Sequence, residues 1–297
     1  MGTPEFAVES LKKLVEGDFN VVAVITAADK PKGRGQKLSI SPVKEYALSQ
    51  NISVLQPTNL KSPDFNEELK SYHANLQVVV AFRMLPEVVW SMPEYGTFNL
   101  HASLLPQYRG AAPINWAIMN GESETGVTTF FIKHEIDTGS IILQDKEPIS
   151  EKDNVGTLYE RLMEKGAILV VKTVAQIRDD SYSLAVQDER KELKTAPKLF
   201  KENCKIDWSN SPKMIYDFVR GLSPYPAAWA EIGGKSFKVF DTEMVQKSMD
   251  GEPGTFETDG KKVLFVRAGD GAIKITDLQL QGKKRMKIED FLRGNKI

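Results

Sequence analysis

Short β-branched runs alternate with helical segments through the first hundred residues, and this alternation constrains the fold more than any other feature. The runs at 20–26 (NVVAVIT), 52–55, 76–82 (LQVVVAF) and 96–101 are short and mostly apolar on both faces, as buried parallel strands are. Helix signals separate them. Thr3 is the expected N-cap of a first helix, with Pro4 at its first position and Glu5 at the positive end of its dipole, and Val8, Leu11 and Val15 recur at helical spacing. Ser41-Pro42 caps a second helix, and residues 64–72 form a third. Strands joined by helices of this length make right-handed crossovers and a parallel sheet covered on both faces. Such a unit opens on a strand, whereas this chain opens on a helix, so a further strand ahead of residue 1 is expected.

The pattern changes downstream. Leu158, Leu162, Val170, Val174 and Ile177 describe one long helix from about residue 154 to 178, closing a first domain at 1–180. Residues 181–201 are polar and basic, with Pro197 breaking regularity, and read as a linker. In 202–297, alternating segments at 228–232, 236–240, 262–266 and 272–278 are separated by Gly-Gly, Asp-Gly and Pro-Gly turns, the pattern of a small antiparallel barrel. The fold expected is therefore α/β: a Rossmann-like, doubly wound, mostly parallel sheet followed by a small C-terminal antiparallel β-barrel of the OB type.

Lys plus Arg (39) nearly cancels Asp plus Glu (40), so any binding of nucleic acid must come from local clusters. The one cysteine, Cys204, allows neither an internal disulfide nor a thiolate zinc site, and no metal is expected. No apolar run is long enough to span a bilayer, so the expected setting is cytoplasmic, away from membranes. His73 and His134 read as surface residues, and Trp116 as packing.

Chemistry concentrates in residues 98–139. Asn99 and His101 sit at the carboxyl end of an expected parallel strand, where open α/β sheets bind ligands. Asp137-Thr138-Gly139 turns between two expected strands at 128–133 and 140–145. An amide, an imidazole and a carboxylate together suit acyl transfer to an amine. Asn and His N–H groups can hold the oxyanion of a tetrahedral centre, and a carboxylate beside the imidazole can help move the proton. Taken singly, each of the three has an ordinary structural explanation in a turn or at a strand end.

Together with Ser103-Leu104-Leu105-Pro106, the run Asn99-Leu100-His101 and Asp137-Thr138-Gly139 resembles the 10-formyltetrahydrofolate-dependent formyltransferases in residue type, order and spacing. The resemblance implies Asn99, His101 and Asp137 as the catalytic residues. It implies Ser103, Leu104, Leu105 and Pro106 as folate contacts, with Arg83, Met84 and Leu85 beside the pterin, and 10-formyltetrahydrofolate as formyl donor. Arg83 and Glu135 stand where relatives commonly carry glycine or another small residue, which bears on folate affinity.

Within that family the resemblance runs to the branch whose acceptor is methionyl-initiator tRNA. It covers the opening residues 1–8, the glycine-hinged loop 29–37, and residues 195–199, 206–208 and 220–229 of the second domain. The loop holds Lys30, Lys32, Arg34 and Lys37, a cationic group able to meet a phosphate backbone. The resemblance implies that it enters the tRNA acceptor stem, with Lys198 adding to the tRNA surface. Further basic residues gather at Arg190, Lys191, Lys194 and Lys201, and at Lys283, Lys284, Arg285 and Lys287. A sugar-nucleotide amine formyltransferase, a formyl-folate hydrolase and a non-catalytic RNA-binding protein are the alternatives. A monomer is expected.

Overall fold

The computed structural model describes residues 1–32, 37–189 and 192–297. Helix α1 (Glu5–Glu16) begins one residue later than expected: Pro4, in extended backbone, is its N-cap, and no side chain caps it. Its buried face is Phe6, Ala7, Ser10, Leu11 and Leu14, so Val8 and Val15 flank the stripe instead of centring it. Strand β1 (Ala23–Ile25) is shorter than the run that announced it, because only these residues pair with a neighbour. The glycine-hinged loop is bounded by two strands that the sequence did not suggest. They are β2 (Lys30–Lys32) and β3 (Lys37–Ser39), an antiparallel pair with Lys30 opposite Ser39. Helix α2 (Pro42–Ser49) is capped as expected, the Ser41 hydroxyl accepting the Lys44 N–H at 3.1 Å.

Strand β4 (Ser53–Leu55), helix α3 (Pro63–Ser71), strand β5 (Gln77–Val80), the single turn α4 (Glu87–Trp90) and strand β6 (Thr97–His101) follow in that order. Next come β7 (Arg109–Gly110), α5 (Pro113–Met119), β8 (Glu124–Phe131), β9 (Ile141–Pro148) and the 24-residue α6 (Val155–Arg178). Asn154 and Thr157 cap α6 reciprocally, each side chain accepting the other's backbone N–H at 3.1 and 3.2 Å.

Strands β1 and β4 pair in parallel, and a second sheet runs β5-β6-β8-β9, with β5 and β6 parallel and β8 antiparallel to β6. Gly2 lies between the sheets, bridging Val80 in parallel and donating its N–H to the Ile25 carbonyl at 3.0 Å. Beside it is a cavity of about 430 Å³ lined by Leu11, Val24, Val78 and Val174 among others. A Rossmann-like α/β architecture results, with Ile25, Leu55, Phe65, Leu69, Val79 and Val89 in its core.

Chain segments gather into two units. One comprises Met1–Arg109, Gly126–Glu147 and Glu160–Lys194, the other Gly110–Thr125, Pro148–Tyr159 and Thr195–Ile297. The second holds β10 (Thr195–Ala196), α7 (Pro212–Leu222), β11 (Ala228–Ile232), β12 (Lys235–Val245), β13 (Phe256–Thr258), β14 (Leu264–Arg267), β15 (Ala272–Leu280), β16 (Met286–Lys287) and α8 (Ile288–Gly294). Its antiparallel half-barrel runs β11-β12-β15-β14-β13, with β16 added on β15. A register shift around Asp241 interrupts the long β12 ladder, as a bulge that bends a sheet does. Ile215, Leu222, Val239, Leu264, Ile273, Leu278 and Phe291 fill the core. No described helix is long and apolar enough to cross a membrane.

One buried charge stands out in this half. Asp277, with its side chain 7% exposed, accepts from Arg285 at 2.8 and 3.1 Å and lies 3.1 Å from Lys287 Nζ. Burial pushes its carboxyl up, but the hydrogen bonds from Arg285 and Lys287 outweigh that and hold it below the ordinary carboxylate value. A folded-state value below the unfolded one, about 3.9, stabilises the fold at pH above it and releases that stability as pH falls through the folded value. Thermal melts from pH 7 to pH 2 are expected to show this loss below about pH 4. In Asp277→Asn the acid-side slope should flatten and stability at pH 7 should fall. An unchanged slope in the variant would show that the loss arises elsewhere.

Candidate active site

The strand that carries the candidate residues Asn99 and His101 is paired on both edges. Asn99 lies opposite Val79 of β5 on one side and Phe130 of β8 on the other, and His101 lies opposite Thr128. Side chains alternate along a strand, so the fully buried Phe98 and Leu100 face inward while Asn99 and His101 share the other face. Asn99 is half-buried, and its amide makes no side-chain hydrogen bond among the described residues. Its donors are thus available to a bound group.

His101 is buried and held firmly. Its Nε2 lies 2.9 Å from the Tyr108 carbonyl oxygen. A carbonyl only accepts, so Nε2 carries the hydrogen, and in the neutral ring Nδ1 is the bare lone pair. That Nδ1 is 3.8 Å from Asp137 Oδ2, within ion-pair range and too long for a direct hydrogen bond. The contact becomes a true ion pair when the ring takes a proton. Both partners of the imidazole come from left-handed backbone, Tyr108 at φ 60° and Asp137 at φ 55°. That conformation is uncommon without glycine and has to be held by its surroundings.

The loop after β6 is tied to β8 by one hydroxyl. Thr128 Oγ1 donates to the Ser103 carbonyl at 2.6 Å and accepts from the Leu105 N–H at 3.2 Å and from Gln144 Nε2 at 3.0 Å. Gln144 also donates to the Leu105 carbonyl at 2.9 Å. Ser103 is fully buried, with its hydroxyl on the Gln107 carbonyl at 2.7 Å. Leu105 packs with Phe130 and Ile141. Those two side chains are therefore spent inside the protein, and Leu104 and Pro106 are the half-buried members of the loop. A β-carbon on Gly126 would lie 2.2 Å from the Asp145 carbonyl and 2.5 Å from Leu104, so glycine is what lets β8 and the loop approach.

The remaining candidate residues are distributed more widely. Arg83 donates to the carbonyls of Thr58 (3.1 Å) and Pro57 and lies over the Phe82 ring, making no bond to the trio. Met84 is exposed, whereas Leu85 belongs to the hydrophobic core. Glu135 receives the Thr138 hydroxyl and points outward. His73 and His134 are exposed, the latter against Glu87 and Trp90. Burial pushes the Cys204 thiol up, leaving it an unreactive part of the core.

Among the cationic candidates, Lys30 is exposed at the start of β2, and Lys32 and Lys37 pair through their backbones. Arg34, Arg190 and Lys191 lie outside the described residues. Below the β2–β3 pair, Lys44 Nζ bonds Asp29 (2.5 Å) and Gln56 (2.7 Å), and Gln56 returns to Asp29 at 2.8 Å. In the second unit Lys198 lies 5.4 Å from the Phe200 ring centre, while Lys201 and Lys205 each lie 5.3 Å from that of Trp229. Arg285 and Lys287 are already matched by Asp277.

Residues that sequence reasoning missed hold the site together. Thr128 and Gln144 sit in strands with no feature to distinguish them, and Gln187 lay inside the expected linker. Only the distinct partners of each, visible in three dimensions, single them out.

Comparison with known proteins adds the wider context. Residues 1–174 match the family described as Formyl transferase, and residues 198–296 match Formyl transferase, C-terminal domain. The chain is 54% identical over 305 residues to a methionyl-tRNA formyltransferase of Bacteroides thetaiotaomicron, covering 100% of this chain and 95% of that one. It is 57% identical over 304 residues to a methionyl-tRNA formyltransferase of Phocaeicola vulgatus, covering 99% and 94%. In fold it is similar to WlaRD, a sugar 3N-formyl transferase, with a TM-score of 0.69 at 23% identity over 95% of this chain and 97% of that one.

Thr128 offers a direct test of how the loop is held. Thr128→Val keeps the shape but leaves the Leu105 N–H and part of Gln144 without an acceptor, a cost of about 1–3 kcal/mol. Denaturant unfolding should show that loss, and hydrogen exchange at the Leu105 amide should quicken. If both stay as in the parent, the hydroxyl does not organise the loop.

Proposed function

The chain belongs to the formyl transferase family in both of its halves, and from that premise we propose that it moves the formyl group of 10-formyltetrahydrofolate to the amino group of methionyl-initiator tRNA. The product is N-formylmethionyl-tRNA, the starting residue of a new chain. One observation carries the catalytic assignment: Asn99 and His101 share a strand face, with the Asp137 carboxylate 3.8 Å from the only basic nitrogen of the imidazole.

The neutral amine attacks the formyl carbon, and the carbonyl oxygen becomes an oxyanion. Asn99 donates its amide N–H to that oxygen, a contribution of about 3–4 kcal/mol for a well-placed donor. As the C–N bond forms, the amine nitrogen releases a proton, which His101 Nδ1 accepts. The resulting imidazolium is stabilised by Asp137 and by the Tyr108 carbonyl. Collapse breaks the bond from the formyl carbon to the folate nitrogen, and His101 returns the proton to that nitrogen. One proton travels from amine to folate and no covalent enzyme intermediate forms.

Folate is read as lying against the loop of Ser103, Leu104, Leu105 and Pro106, with Arg83 and Met84 at its margin and Leu85 supporting from the core. Because Ser103 and Leu105 are turned inward, this loop meets the donor through its backbone, Leu104 and Pro106. The tRNA is read as meeting Lys30, Lys32, Arg34 and Lys37 of the hinged loop, and Lys198 beside Phe200. Exposed cations beside aromatic rings suit a phosphate backbone and splayed bases. The same reading takes the enzyme as a monomer working in the cytoplasm.

The decisive assay is formyl incorporation with 10-formyltetrahydrofolate into charged initiator tRNA, uncharged tRNA and a panel of sugar amines. Transfer to the charged tRNA alone is expected. Transfer to a sugar amine would keep the mechanism and overturn the acceptor, and release of formate without any amine would indicate a hydrolase. His101→Ala and Asn99→Ala should each lower kcat by about 10²–10³-fold with the fold intact. A parental rate in either variant would remove that residue from the chemistry. Arg34→Ala should raise KM for charged tRNA several-fold, flatten its salt dependence and spare KM for folate, and identical tRNA kinetics would take the loop out of substrate binding.

A further inference from the structure

A buried glutamine far along the chain is bonded to the turn that presents Asp137. Gln187 is 6% exposed, and its Nε2 donates to the carbonyls of Asp137 at 2.8 Å and Gly139 at 2.9 Å. Its Oε1 accepts from Arg109 Nε at 3.0 Å and Arg109 Nη2 at 2.7 Å. The orientation of this amide is not a free choice. Both carbonyls can only accept and the guanidinium can only donate, so a flipped amide would oppose all four partners. Every hydrogen-bonding position of the side chain is filled. Arg109 is itself fixed by Glu189 at 2.9 Å.

The turn needs such support. Asp137 has φ 55°, which a non-glycine residue does not hold without help, and Gly139 has no room to move inward, since a β-carbon there would lie 1.6 Å from the Phe131 carbonyl. The chain reaches the turn through an antiparallel bridge in which Ile141 and Ala185 exchange both hydrogen bonds at 2.8 and 2.9 Å, which sets Gln187 two residues further on. We propose that Gln187, anchored by Arg109, is a positioning residue that sets the distance and direction of the Asp137 carboxylate relative to His101. The inference rests on the reading of Asp137 as catalytic. It adds a pair of residues that touch neither substrate but govern the geometry of the proton-transfer step.

A shift of about 1 Å in a catalytic group can lower a rate about 100-fold without altering substrate binding. Gln187→Met keeps the length and removes all four bonds. Gln187→Glu keeps the one oxygen that accepts both Arg109 bonds and puts an acceptor in place of the amide that donates to the turn, so it isolates the Asp137 side and guards against simple loss of folding. Both are expected to lower kcat by about 10- to 100-fold, with KM for folate and for charged tRNA within twofold of the parent. The deciding measurement is single-turnover formyl transfer to charged tRNA in Asp137→Ala with and without each Gln187 substitution. If Gln187 acts through Asp137, the second substitution adds less than a twofold loss to the first. A full additional loss in the double variant, a parental kcat in Gln187→Glu, or a rise in KM at unchanged kcat would overturn the inference. A parental rate in Asp137→Ala alone would instead overturn the catalytic reading beneath it.

Discussion

Strand β6 is hydrogen-bonded along both edges, in parallel to β5 and antiparallel to β8, and the rest of the site hangs from that double ladder. With Phe98 and Leu100 buried beneath it, the strand cannot slip by one residue without sending both apolar side chains to the opposite face. Its register therefore decides which face Asn99 and His101 occupy. The antiparallel neighbour matters as much as the parallel one, because β8 supplies Thr128, whose hydroxyl holds the loop that leaves β6. Backbone ladders thus deliver two of the three proposed catalytic side chains with little freedom left to lose. Such pre-placement is what makes a donor effective at the moment charge develops.

Asp137 is delivered differently. It sits on a turn, and turns are set by side-chain and carbonyl bonds in place of a ladder. The imidazole is likewise completed by a turn, through Tyr108, whose N–H is held by the Lys194 carbonyl at 2.7 Å. Two left-handed residues thus meet one histidine, each restrained by a segment that follows α6 in the chain. The candidate RNA surface is organised on the opposite principle. In the second unit Lys198 and Lys201 are exposed and rest on aromatic rings, so their charge can follow a partner of variable shape.

Legibility in the sequence followed the range of the interactions involved. Ser41 as a cap, the strand carrying Asn99 and His101, and the glycine-hinged turn after Asp137 are specified by residues a few positions apart, and all could be read. The start of α1 was misplaced by one residue because Thr3 looks like a cap while Pro4, in extended backbone, takes the position without a capping bond. The β2–β3 pair escaped notice because Lys-Pro-Lys has no strand propensity. Gln187 was invisible for a more basic reason. It lies in a polar stretch without periodicity, and its partners are 50 and 48 residues away. Leu85 and Leu105 show the converse: proximity to a motif suggested ligand contact, and the hydrophobic core claims both side chains.

The placement of α6 has a consequence for the order in which this enzyme matures on the ribosome. Its 24 residues separate the turn at Asp137 from the segment that restrains it. Strands β5, β6, β8 and β9 are all synthesised before α6, so their sheet can form while the chain is still growing. At that stage Asn99 and His101 stand on their strand, but Tyr108 lacks the Lys194 carbonyl and the turn bearing Asp137 lacks the two hydrogen bonds from Gln187. On the catalytic reading proposed for these residues, the site is complete only when the chain beyond α6 has emerged and folded back. A nascent chain is thus kept from working until it has been made well past its own active site.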